Sequence, residues 1–220
     1  MLLTIHPESP EERKIEQVAS CLQRGGIVVY PTDTVYGIGC DITNQTAVQK
    51  VLRFKDVNLK KNSLSFICYD LSHAAQYIRP IDNRTFKLLK KNTPGPFTFI
   101  LESNSNVPKL FKANKKTVGV RVPDNKIVRA LVERLGNPIL SASVKNPAVE
   151  NEEIEYITDP SLIQENLGYM ADIVIDAGIG GTDGSTVVDC TTEDWTIIRQ
   201  GKGNLVTNIS NRQWQTEAAM

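Results

Sequence analysis

The chain has 220 residues, 40% of them hydrophobic, with Lys+Arg and Asp+Glu both at 25 and a formal net charge of +0. That size sustains one full core, and neutrality excludes bulk attraction to nucleic acid or membrane, so any basic site is local. No window reaches the roughly 18 uninterrupted apolar residues of a bilayer span, and the opening MLLTIHPESPEERK has no basic region followed by a long apolar run, so a soluble, cytoplasmic protein is expected.

In chain order, helical spacing predicts helices at about 11–24, 44–54, 71–78, 83–91, 126–135 and 161–167. Gly136 is placed to stop the fifth of these. Runs rich in β-branched residues predict strands at 27–30, 64–69, 97–102, 117–122, 139–143, 173–176, 185–189 and 196–199. Short apolar runs alternating with amphipathic segments indicate an α/β or α+β domain. No repeat or low-complexity linker divides it, which gives one domain over residues 1–207 and a polar tail over 208–220. The acidic stretch 147–160 reads as a surface excursion. Cys21, Cys40, Cys68 and Cys190 make no CxxC pair, and His6 and His73 are the only imidazoles. No zinc pattern can be assembled from them, and reduced, mostly buried thiols are expected.

The segments that could carry chemistry lie at the ends of these elements. In YPTDTVYGIG, residues 30–39, Pro31 removes a backbone donor as a strand ends. Gly37 and Gly39 allow close backbone approach. Thr32, Asp33 and Thr34 then either face a cavity at the strand's carboxyl end or bond their own turn. The cationic segment RFKDVNLKKNS, residues 53–63, is either a solvated helix end or a place where Lys55, Lys60 or Lys61 reaches a phosphate. NTPGPFTFIL, residues 92–101, is a stiff turn feeding a strand.

In TVGVRVPDN, residues 117–125, Val118, Val120 and Val122 take one strand face and Thr117, Gly119 and Arg121 the other. An arginine there suits a carboxylate or phosphate through two parallel hydrogen bonds, or serves an internal ion pair. PILSASVKN, residues 138–146, ends a strand with Ser141 and Ser143 and then Lys145. Glycines in DAGIGGTDGSTVVD, residues 176–189, precede a strand rather than a helix, so neither a Rossmann nor a Walker loop is present. The segment delivers Ser185 and Thr186, with Arg199 ending the next strand.

Taken in order, YPTDTVYGIG, the cationic helix end, TPGPFTFIL, TVGVRVPDN, PILSAS, GSTVVD and IIRQG resemble the YrdC-like family of threonylcarbamoyl-AMP synthases over about residues 10–203. NTPGPFTFIL and the form of residues 53–68 look most like its YciO-like branch. The resemblance implies a single YrdC-like domain, with a twisted mixed sheet flanked by helices and a positively charged concave face. It implies a nucleotidyltransferase reaction in which L-threonine, bicarbonate and ATP, with Mg²⁺, give L-threonylcarbamoyladenylate and pyrophosphate. That product serves t6A modification of adenosine 37 in tRNA.

By position, the resemblance assigns Thr32, Cys68, Arg121, Ser141 and Ser185 to threonine, and Lys55, Thr117, Ser143 and Arg199 to the nucleotide. No metal ligand from the protein is implied. Three departures stand out: Lys-x-Arg reads Lys55-Asp56-Val57, Ser-x-Asn reads Ser143-Val144-Lys145, and Cys68 stands where many members have histidine. A non-catalytic module binding tRNA or double-stranded RNA is the alternative, as is a related enzyme with an altered substrate.

Overall fold

The computed structural model describes residues 1–58, 64–108, 116–145 and 156–207. Lys60, Lys61, most of the 147–160 excursion and the 208–220 tail lie outside the described residues, as does the side chain of Lys55. The strands are β1 Leu2–Thr4, β2 Val28–Tyr30, β3 Gly37–Asp41, β4 Ser65–Ile67, β5 Phe97–Glu102, β6 Thr117–Arg121, β7 Ile139–Ser143, β8 Ile173–Asp176, β9 Thr186–Asp189 and β10 Thr196–Arg199. The helices are α1 Glu12–Gln23, α2 Gln45–Asn58, α3 Leu71–Ala75, α4 Asn83–Asn92, α5 Lys126–Leu135 and α6 Pro160–Leu167. None among the described residues is long and apolar enough to cross a membrane.

Local chemistry sets the helix ends. Asp82 accepts from the N–H groups of Arg84 and Thr85 at 2.7 and 2.9 Å at the start of α4, and Asn125 accepts from Val128 N at 3.1 Å at the start of α5. Gly136 ends α5 with φ 77°, the left-handed conformation that glycine adopts without a Cβ penalty.

The strands form one mixed ten-stranded sheet in the order β1-β8-β2-β3-β7-β4-β6-β5-β9-β10. Alternation along each strand sorts its side chains between two apolar layers. On one face Val29, Ile38, Phe66, Val120, Leu140 and Val188 join Ala47, Val48 and Val51 of α2, Leu88 and Leu89 of α4, and Ile163 and Leu167 of α6. On the other, Val28, Tyr30, Ile67, Ile139, Ile173 and Ile175 pack on Ile15, Val18 and Leu22 of α1 and on Ile127, Leu131 and Val132 of α5.

That second layer stops partway across the sheet. The registers align Gly39, Ser141, Ser65 and Gly119 in one row across β3, β7, β4 and β6. Gly37 faces Ser143 in the adjoining row. Side chains this small contribute little to an apolar layer, so they form a polar floor where the covering helices end.

Two strands differ from the sequence expectation. β3 lies inside what reads as a turn, YPTDTVYGIG, and pairs antiparallel with β2 through Val28–Gly39, Val29–Ile38 and Tyr30–Gly37. β1 is a three-residue edge strand, parallel to β8 and too short to leave an alternation signal.

Candidate active site

At the end of β2, Thr32 turns the chain with its own side chain: its hydroxyl accepts from Thr34 N at 3.1 Å and donates to Val35 O at 2.6 Å. Across the sheet, Arg121 at the end of β6 reaches the same turn. Its Nη2 donates to Thr32 Oγ1 at 3.2 Å, to Thr34 Oγ1 at 2.7 Å, and to Asp33 Oδ1 in an ion pair. Both charged side chains are nearly inaccessible, at 7% and 9% exposure, so the pair sits where water screens it little. Its other oxygen, Asp33 Oδ2, accepts from Asp124 N at 3.2 Å, and Lys202 Nζ donates to Asp33 O at 2.6 Å. Of the two sequence readings of this turn, these bonds show the one in which it caps itself, and Arg121 adds a partner from across the sheet.

The guanidinium is not saturated by these contacts. Arg121 Nε is buried and has no hydrogen-bond partner among the described residues. A buried donor in that state is costly unless an acceptor arrives.

A second cluster forms at the other side of the sheet. Ser185, just before β9, shares a 2.8 Å hydroxyl contact with Thr98 of β5, and both are buried. Arg199 of β10 donates to Ser185 O from Nε and Nη2 at 3.2 and 2.8 Å, and from Nη2 to Ser185 Oγ at 3.3 Å. The loop between β8 and β9 carries these residues back toward the first cluster. Gly181 N donates to Thr34 O at 2.9 Å, and Tyr36 Oη donates to Gly178 O at 2.7 Å. Burial pushes the Tyr36 phenol up to about 12, which keeps it protonated as that donor.

On the floor, Ser141 is buried and Ser143 and Thr117 are half-buried. Tyr30 lies across its near end. A Cβ on Gly37 would stand 3.0 Å from the Tyr30 ring and 3.2 Å from Ser141 Oγ. Burial raises the Tyr30 phenol strongly, while the neighbouring Ser141 acts the other way.

Thr32 and Arg121 thus meet directly, as do Ser185 and Arg199, and Ser141, Ser143 and Thr117 share the same face of the sheet. Cys68 is not brought to this cluster. Its backbone N–H donates to Arg121 O at 2.9 Å, but its thiol is fully buried in the opposite apolar layer with Phe66 and Val122. Burial there pushes the thiol pKa up, as expected of an inert core cysteine. The β4 residue in register with Arg121, on its face, is Ile67. Alternation places Cys68 on the wrong side for the role the resemblance gave it. Sequence reading also missed Thr98 and Ser65 as site residues, and left Asp33 and Thr34 without a defined role. The period-2 rule applied from Arg121 and Ser185 through the strand pairs would have found Thr98 and Ser65.

A family model with the description "Telomere recombination", Sua5_yciO_yrdC, matches residues 20–201. The uncharacterized protein YciO of Escherichia coli (strain K12) is 38% identical over 202 residues, covering 91% of this chain and 95% of that one. A crystal structure of E. coli YciO superposes with a TM-score of 0.84 at 36% identity, covering 93% and 97%. The threonylcarbamoyl-AMP synthase of Coxiella burnetii (strain RSA 493 / Nine Mile phase I) is 28% identical over 177 residues, or 80% of this chain and 91% of that one. The crystal structure of P. abyssi Sua5 complexed with L-threonine matches with a TM-score of 0.77 at 26% identity, covering 91% of this chain and 57% of that one. With motifs, sheet and these likenesses in agreement, the chain belongs to the Sua5/YciO/YrdC family.

Proposed function

We propose that this protein is a nucleotide-dependent enzyme of the threonylcarbamoyl-AMP synthase type, acting on L-threonine or a closely similar amino acid with bicarbonate and ATP. The observation that carries this reading is the buried Arg121, fixed on one edge by Thr32, Asp33 and Thr34 while its Nε lacks an acceptor. A substrate carboxylate supplies that acceptor, and a guanidinium held through Nη2 presents Nε in a fixed direction. The likeness to a structure containing L-threonine, that of P. abyssi Sua5, supports the same substrate class.

In this reading the amino acid's amine condenses with bicarbonate to a carbamate, losing water. A carbamate oxygen then attacks the α-phosphorus of ATP, and pyrophosphate leaves. The protein's part is positioning and charge neutralisation rather than covalent chemistry. Arg121 orients the carboxylate, Thr32 and Ser141 line the amino-acid end, and Ser185, fixed by Thr98, stands between that end and Arg199. Thr117, Ser143, Lys55 and Arg199 serve the nucleotide end. Mg²⁺ enters as part of the ATP complex. Among the described residues no group of three or more His, Cys, Asp or Glu stands together to hold a metal ion.

The test is direct. The purified chain is incubated with ATP, Mg²⁺, bicarbonate and each amino acid, and both pyrophosphate and the mass of any adenylate are measured. L-Threonine is expected to give a carbamoyladenylate, and Arg121→Ala is expected to lower turnover by two orders of magnitude or more, roughly the loss of a charge-assisted substrate contact made in a buried site. Absence of turnover with every amino acid, together with salt-sensitive binding of RNA, overturns the reading.

A further inference from the structure

We propose that Tyr30 is a positioning residue, whose hydroxyl holds that of Ser141 as a hydrogen-bond donor toward the amino-acid substrate. This inference rests on the amino-acid end of the reading above and adds to it a residue that acts without touching substrate itself.

Tyr30 ends β2 with its side chain on the floor's face of the sheet, since it pairs with Gly37, which faces Ser143 there. Two glycines make the slot in which its ring lies. A Cβ on Gly37 would stand 3.0 and 3.1 Å from Tyr30 Cε2 and Cζ and 3.2 Å from Ser141 Oγ, and one on Gly39 would stand 3.1 Å from Tyr30 Oη. The ring carbon that bears the hydroxyl and the serine oxygen thus flank one point above Gly37. Gly39 is itself the register partner of Ser141, and directly opposed residues of antiparallel strands have Cβ positions about 4.5–5.5 Å apart. The slot therefore delivers the tyrosine hydroxyl to the place where the Ser141 side chain leaves the sheet.

That hydroxyl is unpaired. Tyr30 is 0% exposed, and its Oη has no hydrogen-bond partner among the described residues. Burial keeps the phenol protonated; Ser141 is near enough to oppose that effect, yet the pair falls short of hydrogen-bonding geometry. The surrounding layer is aliphatic, with Val28, Ile67, Ile139 and Ile175, and phenylalanine would fill the same slot without taking a hydroxyl out of water. An unpaired buried hydroxyl destabilises the ligand-free fold. Arg121 Nε is in the same state on the same face, whereas the other buried polar side-chain atoms without a partner among the described residues, in His73 and Gln164, belong to α3 and α6. Both unpaired donors of this sheet face thus serve the amino-acid end, as expected of a site whose hydrogen bonds tighten when substrate arrives.

A serine hydroxyl carries one proton and can accept as it donates. When Tyr30 donates to Ser141 Oγ, the serine's own proton is turned away from the ring and toward the ligand. Without the tyrosine hydroxyl, that proton has no fixed direction.

The experiment is calorimetric titration of the full chain with L-threonine, alongside urea denaturation without ligand, in the unsubstituted protein, Tyr30→Phe, Ser141→Ala and the double variant. Tyr30→Phe is expected to weaken L-threonine binding about threefold to tenfold, the contribution of one hydrogen bond between neutral groups. Its ligand-free urea midpoint is expected to stay the same or rise, because an unpaired buried hydroxyl has been removed. In the double variant the loss of affinity is expected to equal that of Ser141→Ala alone, since Tyr30 acts through Ser141. Affinity in Tyr30→Phe within about twofold of the unsubstituted chain overturns the proposal and leaves the synthase reading standing. A lowered midpoint in Tyr30→Phe also overturns it, because the hydroxyl would then be bonded in the resting fold. So do additive losses in the double variant, because Tyr30 would then act apart from Ser141. Failure of the unsubstituted chain to bind L-threonine overturns the proposal and the reading together. L-Threonine binding that depends on Tyr30 through Ser141, in a protein that forms no adenylate with any amino acid, keeps this proposal and removes the synthase reading.

Discussion

Arg121 and Asp33 show how one buried pair can serve both stability and a site. Taking a guanidinium and a carboxylate out of water is costly, and their mutual attraction offsets that cost only when the remaining hydrogen-bonding groups are satisfied. Here Thr32, Thr34 and Asp124 N do most of that work, and Arg121 Nε is left over. Removing the carboxylate leaves a buried charge without a partner, so Asp33→Ala is expected to destabilise the protein by about 3–5 kcal/mol, measured by chemical denaturation. Asp33→Asn keeps one acceptor oxygen for Arg121 while losing the one that accepts from Asp124 N, and is expected to recover part of that loss. Equal stability of Asp33→Ala and the unsubstituted chain would mean that the pair is solvated in solution. Turnover separates structure from function at the same place: Asp33→Asn loosens the hold on Arg121 without removing Thr32 and Thr34, so the Michaelis constant for the amino acid is expected to rise more than kcat falls.

At the scale of elements, the β2–β3 hairpin decides where the site lies. Gly37 and Gly39 have no side chains because the Tyr30 ring and the β7 backbone occupy that space. A Cβ on Gly39 would run into the Leu140 carbonyl and come within 3.1 Å of the Tyr30 hydroxyl. Gly39→Ala is therefore expected to cost 2 kcal/mol or more, since backbone rather than a flexible side chain must move (overpacking typically costs about 1–3 kcal/mol). Gly136→Ala meets nothing within 4 Å and is opposed only by its φ of +77°, so about 1–2 kcal/mol is expected there. Thermal melts of the two variants check the order; a larger loss in Gly136→Ala would contradict the account of Gly39. The same glycines hid the strand from sequence reading, because glycine is depleted in strands and GIG reads as the end of a turn. Strands such as Phe97–Glu102 and helices such as Lys126–Leu135 were legible to the residue because their apolar spacing answers to one layer alone. Thr32, Arg121, Ser185 and Arg199 were legible as polar groups at strand ends. Which of them touch was not, since that depends on strand order, and Cys68 was misassigned by one step of the alternation.

Over the whole molecule, the site is closed by segments from widely separated parts of the chain. Thr32–Tyr36 follow β2, Gly178–Ser185 join β8 to β9, and Arg199–Lys202 end β10, yet Gly181 reaches Thr34, Lys202 reaches Asp33, and Lys202 N donates to Gly184 O at 2.9 Å. A ligand held between Arg121 and Arg199 therefore joins β6 and β10 and, through Thr32 and Thr34, the turn after β2 in the other half of the sheet, and its binding energy is expressed as stability of the sheet as a unit. At a hundredfold excess over its dissociation constant, such a ligand adds about 2.7 kcal/mol. For a chain of 220 residues that corresponds to a rise of roughly 5–10 °C in Tm. ATP and L-threonine are each expected to raise a single cooperative transition by this amount, and Arg121→Ala is expected to remove the amino acid's share while leaving that of ATP. Differential scanning calorimetry resolves the alternatives. A transition that splits in two on ligand addition would show that the two clusters stabilise separate parts of the sheet, and an undiminished amino-acid shift in Arg121→Ala would place the carboxylate elsewhere on the floor.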